Sequence, residues 1–156
     1  GVEGFDRRPW TWGEPYCSAM RDMFHLRSRL IPYLYSSAYK SYKESLPFIR
    51  PLYYDCPDDE RAYEYPTEFF LGDGMIASPV CTPMGEDGSV TTEVWLPDGV
   101  WYDFFTGQRY EGGSVSTIVS ISYIINVLYS AIYEKLRDEG YEHTMRAAQS
   151  VANKSL

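Results

Sequence analysis

The sequence predicts an α/β part followed by an all-β part, and three observations support this fold class. A long run over residues 21–42 carries apolar side chains at three- and four-residue steps, which is typical of a helix with one buried face. From Met75 onward the chain changes to short strand-like runs separated by glycine-containing turns. Gly72-Asp73-Gly74 separates the two patterns, so we place a boundary near Gly72.

Composition narrows the classes of protein. The 156 residues are 44% apolar and 17% aromatic, which is enough for one core or for parts of two. The aromatic excess favours a tyrosine-rich core over a sugar-stacking surface. A formal charge of −8 argues against a nucleic-acid partner, which needs clustered Lys and Arg. The odd number of cysteines and their spacing favour reduced, mostly buried thiols over disulfides or zinc: Cys17, Cys56 and Cys81.

The helical run has clear boundaries. Glu14-Pro15 is suited to a helix start, because proline is tolerated in the first turn and a carboxylate complements the helix dipole. Pro32 lacks a backbone donor and should kink or break the helix. Leu46-Pro47 should end the helical region.

Several later segments are predicted strands. Residues 48–56 form a short apolar, aromatic run, in which we expect Arg50 to pair with a carboxylate. Asp98-Gly99 predicts a hairpin turn between two further runs. Residues 63–71 resemble a short aromatic helix or turn. The remaining predicted strands cover residues 75–81, 90–97 and 100–105.

The last 45 residues have a different character. No charged residue occurs from Gly112 to Tyr133, and isoleucine and leucine recur at helical spacing. A membrane helix needs about 20 mostly apolar residues, but serines dilute this run. A buried or partner-binding amphipathic helix is therefore favoured over a membrane span. Glu134–Leu156 is a polar extension.

The residues for several catalytic schemes are missing or poorly placed. His25 and His143 are the two histidines, and neither lies in a metal-binding or triad motif. Asp58 and Asp59 are adjacent, which favours a solvated turn over an acid/base pair. Trp10 and Trp12 should anchor their loop rather than rim a site. We predict no metal site and no cofactor.

Five motifs in order resemble glycoside hydrolase family 31, the α-glucosidase and α-xylosidase family. The loop RPW at Arg8 is similar to the family's RxPW motif, and LRSRLIPYLY from Leu26 resembles its LRxxLxPYxY helix. LPFIRPL from Leu46 resembles LPxxRPL, with the usual PDD following. FFLGDGMIASPV from Phe69 is similar to FxxGDxxxxxPV. The fifth match is VWLPDGVWYDFFTG from Val94, with the YEGG that follows it.

This resemblance implies a fold and a division of the chain. It implies the last helix and strand of a (β/α)₈ barrel, then a partial antiparallel β-sandwich and a helical tail. In that frame the strand at residues 48–56 closes the barrel. The expected divisions are 1–72 for the barrel end, 73–113 for the start of the sandwich and 114–156 for a helical tail that matches nothing in the family.

The resemblance also implies a function. The family hydrolyses α-glycosidic bonds with retention, using one aspartate as nucleophile and another as acid/base. The family's nucleophile motif, of the WxDMNE type, has no counterpart here. We therefore expect a fragment of a retaining α-glycosidase that is inactive alone, with no catalytic residue of its own. Glu3 and Phe5 are the substrate-proximal candidates. The intact parent should act on α-linked oligosaccharides or glycosides; the alternative is a non-catalytic sugar- or protein-binding module. A cytoplasmic location is favoured.

Three departures from the family pattern stand out. Ser45 replaces a usual glycine, and Glu68 replaces a frequent glutamine. After Gly113 the family's IPVxxxxGxIxP strands are not recognisable. We therefore expect a truncation, frame shift or fusion, with open strand edges or the tail available for self-association.

Overall fold

Helices and an antiparallel β-domain form the structure. The computed structural model describes residues 6, 8–83, 85–86, 89–120, 125–130 and 137–138. In these residues, a 3₁₀ turn at Pro9–Thr11 precedes helices α1 (Tyr16–Arg29), α2 (Ile31–Glu44), α3 (Leu52–Asp55) and α4 (Arg61–Glu64). The strands are β1 (Ile49–Pro51), β2 (Phe69–Leu71), β3 (Met75–Pro79), β4 (Val90–Leu96), β5 (Val100–Asp103), β6 (Arg109–Glu111), β7 (Ser114–Ser120) and β8 (Ile125–Tyr129).

The helical region follows the sequence prediction closely. α1 begins directly after Pro15, and the run divides at Leu30, two residues before Pro32. Because Pro32 has no N–H, the usual hydrogen bond to the carbonyl four residues earlier cannot form there. α2 ends at Glu44, and Ser45 then adopts a left-handed conformation with φ of 58°. The predicted start, break and end of the helical run are confirmed.

Two antiparallel sheets make up the described β-region. The larger has the order β1-β2-β3-β8-β5-β6, and the smaller consists of β4 and β7. β4 and β5 are consecutive but lie in different sheets, so the predicted Asp98-Gly99 hairpin is wrong. The backbone instead turns at Asp98-Gly99 to pass from one sheet to the other.

The structure corrects the prediction for residues 48–56. Of this stretch, Ile49–Pro51 alone forms a strand, and Leu52–Asp55 forms a helical turn. The strands of a (β/α)₈ barrel are parallel, whereas β1 pairs antiparallel with β2. β1 is thus an edge strand of the β-domain sheet rather than the closing strand of a barrel.

The structure also corrects the helical prediction for the tail. Ser114–Ser120 pairs along its whole length with β4, and Ile125–Tyr129 pairs with β3. These stretches are rich in Val, Ile, Thr and Ser, which suit a pleated strand better than a helix. The three- and four-residue recurrence of isoleucine was therefore misleading. Of residues 131–156, only 137–138 are described. The helical prediction for the rest of this stretch is not tested.

The core has two parts that meet at β3. Ile76 points into a cluster that joins both sheets, whereas Met75 points into a cluster under the helices. Because side chains alternate along a strand, β3 is buried on both faces. The helix-side cluster consists of Leu26, Leu30, Tyr33, Met75 and Val127. No helix among the described residues has the length and apolar character to cross a bilayer.

Candidate functional site

The predicted substrate-proximal residues, Glu3 and Phe5, lie outside the described residues. The loop that follows them is described from Arg8 onward and carries an exposed ion pair, in which the Arg8 guanidinium donates to both carboxylate oxygens of Asp6. Arg8 also lies 5.7 Å from the ring centroid of Trp10. Trp10 and Trp12 are both exposed, so the prediction that they pack to anchor the loop is wrong.

A buried arginine joins three parts of the chain. Arg50 Nε donates to Asp55 Oδ2 at 2.9 Å, and Nη2 donates to Asp73 Oδ1 at 3.0 Å. Its Nη1 donates to the carbonyl of Pro47 at 3.0 Å. The predicted pairing of Arg50 with a carboxylate is confirmed. Arg50 is thus committed to structural contacts rather than available for a substrate anion.

Asp73 connects this arginine to helix α2. Lys40 of α2 donates to the second oxygen of Asp73, forming a salt bridge. Burial opposes ionisation of Asp73, but the hydrogen bonds from Lys40 and Arg50 outweigh it and lower the pKa of its carboxyl group. Sequence reasoning missed this link because its partners are 33 and 23 positions apart and no local pattern pairs them.

Tyr33 fixes the turn that contains Asp73. Its hydroxyl donates to the carbonyl of Leu71 at 2.5 Å and accepts from the N–H of Gly74 at 3.1 Å. The ring is fully buried, and burial raises the pKa of the phenol to about 12. Gly72 has φ of +66°, and a Cβ there would lie 2.6 Å from Ser37 Oγ. The GDG segment is therefore a turn, as predicted, and it docks against α2.

The adjacent carboxylates at Asp58 and Asp59 do not form an acid/base pair. Arg61 donates two hydrogen bonds to Asp59, from Nε to Oδ1 at 2.9 Å and from Nη2 to Oδ2 at 2.7 Å. The side-chain hydrogen bonds from Arg61 lower the pKa of Asp59. A carboxylate held ionised in this way is a poor general acid.

Glu68 has a raised pKa, as a general acid requires, but its carboxyl group is not accessible to a substrate. Burial raises the pKa of its carboxyl group to about 8, although the hydrogen bond from the Trp95 N–H to Oε1, at 3.1 Å, opposes this. Only 2% of the residue is exposed, and Oε2 has no hydrogen-bond partner among the residues that the structure describes. Because substrate cannot reach it, Glu68 serves the core rather than catalysis.

An open groove of about 630 Å³ is lined by Asp22, His25, Ser28, Arg29 and Phe105. His25 is exposed at this groove, and His143 lies outside the described residues. Among the described residues, no three His, Cys, Asp or Glu side chains are grouped to hold a metal ion. The described thiols are free but not fully buried, which corrects the expected burial of Cys17, Cys56 and Cys81.

Comparison with protein-family models connects this architecture to a known family. Residues 45–132 match the glycosyl hydrolase family 31 C-terminal domain, and residues 3–37 match the glycosyl hydrolases family 31 TIM-barrel domain. The chain belongs to glycosyl hydrolase family 31. The C-terminal match extends through β7 and β8, so the family pattern continues beyond Gly113 to residue 132. The expectation that family resemblance stops at Gly113 is therefore wrong.

Characterised relatives of this family 31 chain include enzymes with different named activities. Alpha-glucosidase 2 of Bacillus thermoamyloliquefaciens is 35% identical over 117 residues, which cover 74% of this chain and 14% of the relative. An alpha-xylosidase of Saccharolobus solfataricus is 33% identical over 115 residues, covering 73% and 15%. The chain thus spans about one-seventh of the length of these relatives.

Solved family 31 structures contain the same fold. A Flavobacterium johnsoniae dextranase complexed with isomaltotriose superposes with a TM-score of 0.73 and 28% identity, covering 81% of this chain and 15% of that one. An alpha-xylosidase from a soil metagenome, complexed with xylose, also has a TM-score of 0.73, with 27% identity and coverages of 85% and 20%. The family assignment therefore stands on sequence and on structure.

Proposed function

We propose that this chain supplies the end of the catalytic barrel and the following C-terminal domain of a retaining α-glycosidase. The observation that carries this proposal is the match, in order, to two consecutive domain models of one family. The curated relatives are named as α-glucosidases and an α-xylosidase, which supports α-glucosides or α-xylosides as substrates of the intact enzyme. Carbohydrate hydrolysis is thus the activity in which the chain takes part.

The same proposal assigns no hydrolysis to the chain alone. Retaining hydrolysis needs a nucleophilic carboxylate and an acid/base carboxyl group about 5–5.5 Å apart. The nucleophile motif of the family is absent from the sequence. The carboxylate of Asp59 is bound to Arg61, and that of Glu68 is buried. The missing pair must come from another part of the barrel.

The described geometry supports a positioning role for this chain. The 3₁₀ turn at Pro9–Thr11 contacts helix α1, so the described end of the predicted substrate-proximal loop is attached to this helix. The contacts of Tyr33 and Lys40 attach α2 to the turn before β3. In our proposal the β-domain therefore holds the loop carrying Glu3 and Phe5 at the rim of the sugar site. The divisions at 1–72, 73–113 and 114–156 belong to this proposal as sequence-based boundaries.

Two assays test the proposed function. The purified chain should give no release of nitrophenol from aryl α-glucoside or α-xyloside. A hybrid in which residues 1–132 replace the matching segment of the Saccharolobus solfataricus alpha-xylosidase should hydrolyse the xyloside. In that hybrid, Glu3→Ala should lower kcat/KM about tenfold or more, while Glu86→Ala, far along the chain, should change it less than twofold. Turnover by the isolated chain, free of contaminating glycosidase, would refute the proposal.

The alternative, a non-catalytic sugar- or protein-binding module, remains a prediction with its own test. Deleting residues 114–156 removes β7 and β8, which the structure places in both sheets. Loss of glycan binding after this deletion would therefore reflect unfolding. Titration of the intact chain with isomaltotriose separates the readings: saturable binding without hydrolysis favours the module.

A further inference from the structure

The open groove beside helix α1 has the size and the lining of a small-molecule site. Its volume of about 630 Å³ lies within the range of about 300–1,000 Å³ that is usual for such sites. We call it the α1 groove, and it is lined by Asp22, His25, Ser28, Arg29 and Phe105. The first four are three or four residues apart on α1, so they share one side of the helix. The groove therefore has a polar helix face and an aromatic ring.

The polar side chains of the α1 groove are available to a ligand. The side chains of Asp22, His25 and Arg29 are exposed, and none of them bonds to another residue in the described part of the chain. The Ser28 hydroxyl donates to the carbonyl of Phe24 at 2.9 Å and can still accept. The groove thus offers donors and acceptors together, which suits hydroxyl groups because each hydroxyl both donates and accepts.

The aromatic ring of the groove is held in place by its turn. Oδ1 of the buried Asp103 accepts hydrogen bonds from the N–H groups of Phe105, at 2.8 Å, and Thr106, at 2.7 Å. The Phe105 ring packs edge-to-face on Phe104, with 5.9 Å between the ring centroids. Because the backbone and ring are fixed before a ligand binds, binding costs little conformational entropy at this position.

Phe104 connects this turn to α1. Its N–H donates to the carbonyl of Val127 in β8 at 2.8 Å, and its side chain packs against the helix-side cluster. Leu26 and Leu30 bring α1 and its C-terminal end into the same cluster. The two sides of the α1 groove are therefore joined through the core, while Phe105 keeps 37% of its surface exposed.

Charge narrows the class of ligand. Asp22 and Arg29 carry opposite charges that offset each other, and the chain as a whole has a formal charge of −8, which repels anions. A neutral sugar fits these features, because its C–H face can pack on Phe105 while its hydroxyls meet the polar side chains. From Asp22 to Arg29 the helix rises about 10 Å, a length that more than one sugar ring can span.

We infer that the α1 groove is a binding site for a neutral oligosaccharide, with one ring stacked on Phe105 and hydroxyls bonded to Asp22 and Arg29. The sugar chemistry follows from the groove, whereas the choice of an α-linked glucan rests on the proposed function. Asp22 is the single carboxylate among the lining residues, and retaining hydrolysis needs two. The groove therefore binds the glycan without cleaving it.

Titration of the full 156-residue chain with isomaltotriose tests the inference. Amide NMR shifts should saturate, with the largest changes at residues 22–29 and 104–107. Phe105→Ala should weaken binding at least about tenfold, whereas Phe105→Tyr, which keeps the ring, should change it less than about twofold. The control is Tyr54→Ala, which removes an exposed aromatic ring on α3 and should also change binding less than about twofold.

Substitutions on α1 keep the test decisive if Phe105→Ala disturbs the turn. Asp22→Ala and Arg29→Ala should each weaken binding about fivefold, because each removes hydrogen bonds made by a charged group. Arg27→Ala changes an exposed arginine of the same helix that does not line the groove, so it should change binding less than about twofold. Thermal unfolding verifies that these variants remain folded.

The outcomes separate the inference from the proposed function. Binding in the α1 groove, together with a xylosidase hybrid that does not hydrolyse the xyloside, supports the inference and contradicts the proposed function. Binding together with hydrolysis by the hybrid assigns the groove to a glycosidase rather than to a separate module. Lack of saturable binding overturns the inference, whether or not the hybrid is active. Binding that is lost in Trp10→Ala but kept in Phe105→Ala also overturns it.

Discussion

The carboxyl group of Glu68 accepts a hydrogen bond from the backbone N–H of Trp95 at 3.1 Å, while its other oxygen is buried and has no hydrogen-bond partner in the described part of the chain. The contact joins the segment before β2, in the larger sheet, to the end of β4, in the smaller sheet. A buried carboxyl group in this situation is stable when protonated and unfavourable when ionised. The relationship makes the stability of the fold depend on pH.

Replacing Glu68 by glutamine should abolish this dependence. In the folded chain the pKa of Glu68 is about 8, whereas the pKa of an unperturbed glutamate is 4.5. Between these values the folded state holds a proton that the unfolded state has released, so stability falls as pH rises. The total loss should be on the order of 3–5 kcal/mol. Urea unfolding followed by tryptophan fluorescence at pH 5, 7 and 9 measures it.

The expected pattern is specific to the buried position. Glu68→Gln should match the wild type at pH 5 and exceed its free energy of unfolding at pH 9. Glu64→Gln, at an exposed position on α4, should keep the wild-type slope. An unchanged slope in Glu68→Gln would show that another group titrates in this range.

The left-handed conformation of Ser45 predicts a stabilising substitution. Its φ is 58°, a region that costs a residue with a Cβ roughly 1–2 kcal/mol and costs glycine little. Ser45→Gly should therefore raise the free energy of unfolding by about 1 kcal/mol. Ser41→Gly, within α2, should instead lower it by about 0.5 kcal/mol, because glycine is a poorer helix former than serine. Destabilisation by Ser45→Gly would contradict the assigned conformation.

Gly72 provides a test of the close contact between the β2–β3 turn and α2. Gly72→Ala must adopt φ of +66° and place its Cβ 2.6 Å from Ser37 Oγ, so it should cost about 3 kcal/mol or more. Gly107→Ala has φ of +73° but no atom within 4 Å of its Cβ, so it should cost only about 1 kcal/mol. Equal losses in the two variants would mean that the turn does not dock against the helix.

The buried ion pair between Arg50 and Asp73 predicts an acid-sensitive loss. Asp73→Asn removes a carboxylate that pairs with the guanidinium of Arg50, whose side chain is 8% exposed. The substitution should lower the free energy of unfolding by about 1–3 kcal/mol at pH 7. The pKa of Asp73 is lowered from 3.8, so its contribution is present above that pH and lost as the pH falls through the folded value. The wild type and Asp73→Asn should therefore converge in acid.

A surface pair serves as the control for this prediction. Asp6→Asn removes an exposed partner of Arg8 and should leave the free energy of unfolding nearly unchanged. The free energies of unfolding are compared between pH 2.5 and 7. A loss at Asp6 as large as that at Asp73 would contradict the distinction between the buried and exposed pairs.

Local signals explain which parts of the fold were predictable. Pro32 breaks the helix wherever the rest of the chain lies, and the runs from Met75 and Val90 have the composition of strands. The tail was misread because its identity depends on pairing with β3 and β4, whose paired residues lie 18 to 54 positions away along the chain. Long-range pairing overrode the apparent helical period.

The sequence motifs predicted the family and the position of the candidate site along the chain, but they did not predict the contacts between its residues. Motif order identified the family, because five weak matches in register leave few alternatives. The contacts of Asp73 with Lys40 and Arg50 join residues with no shared pattern, and Glu68 signalled its burial only as a departure from glutamine. Glu3 and Phe5 lie outside the described residues and remain predictions.

The course of α2 has a practical consequence for anyone who expresses parts of these enzymes. The match to the barrel model ends at residue 37, and the match to the C-terminal model begins at residue 45, which suggests an expression boundary between them. That cut would remove half or more of α2 and, with it, the Tyr33 hydroxyl that contacts Leu71 and Gly74. A C-terminal domain expressed from Ser45 would begin without the helix on which its central strand rests. An expression boundary before Tyr16 keeps that support.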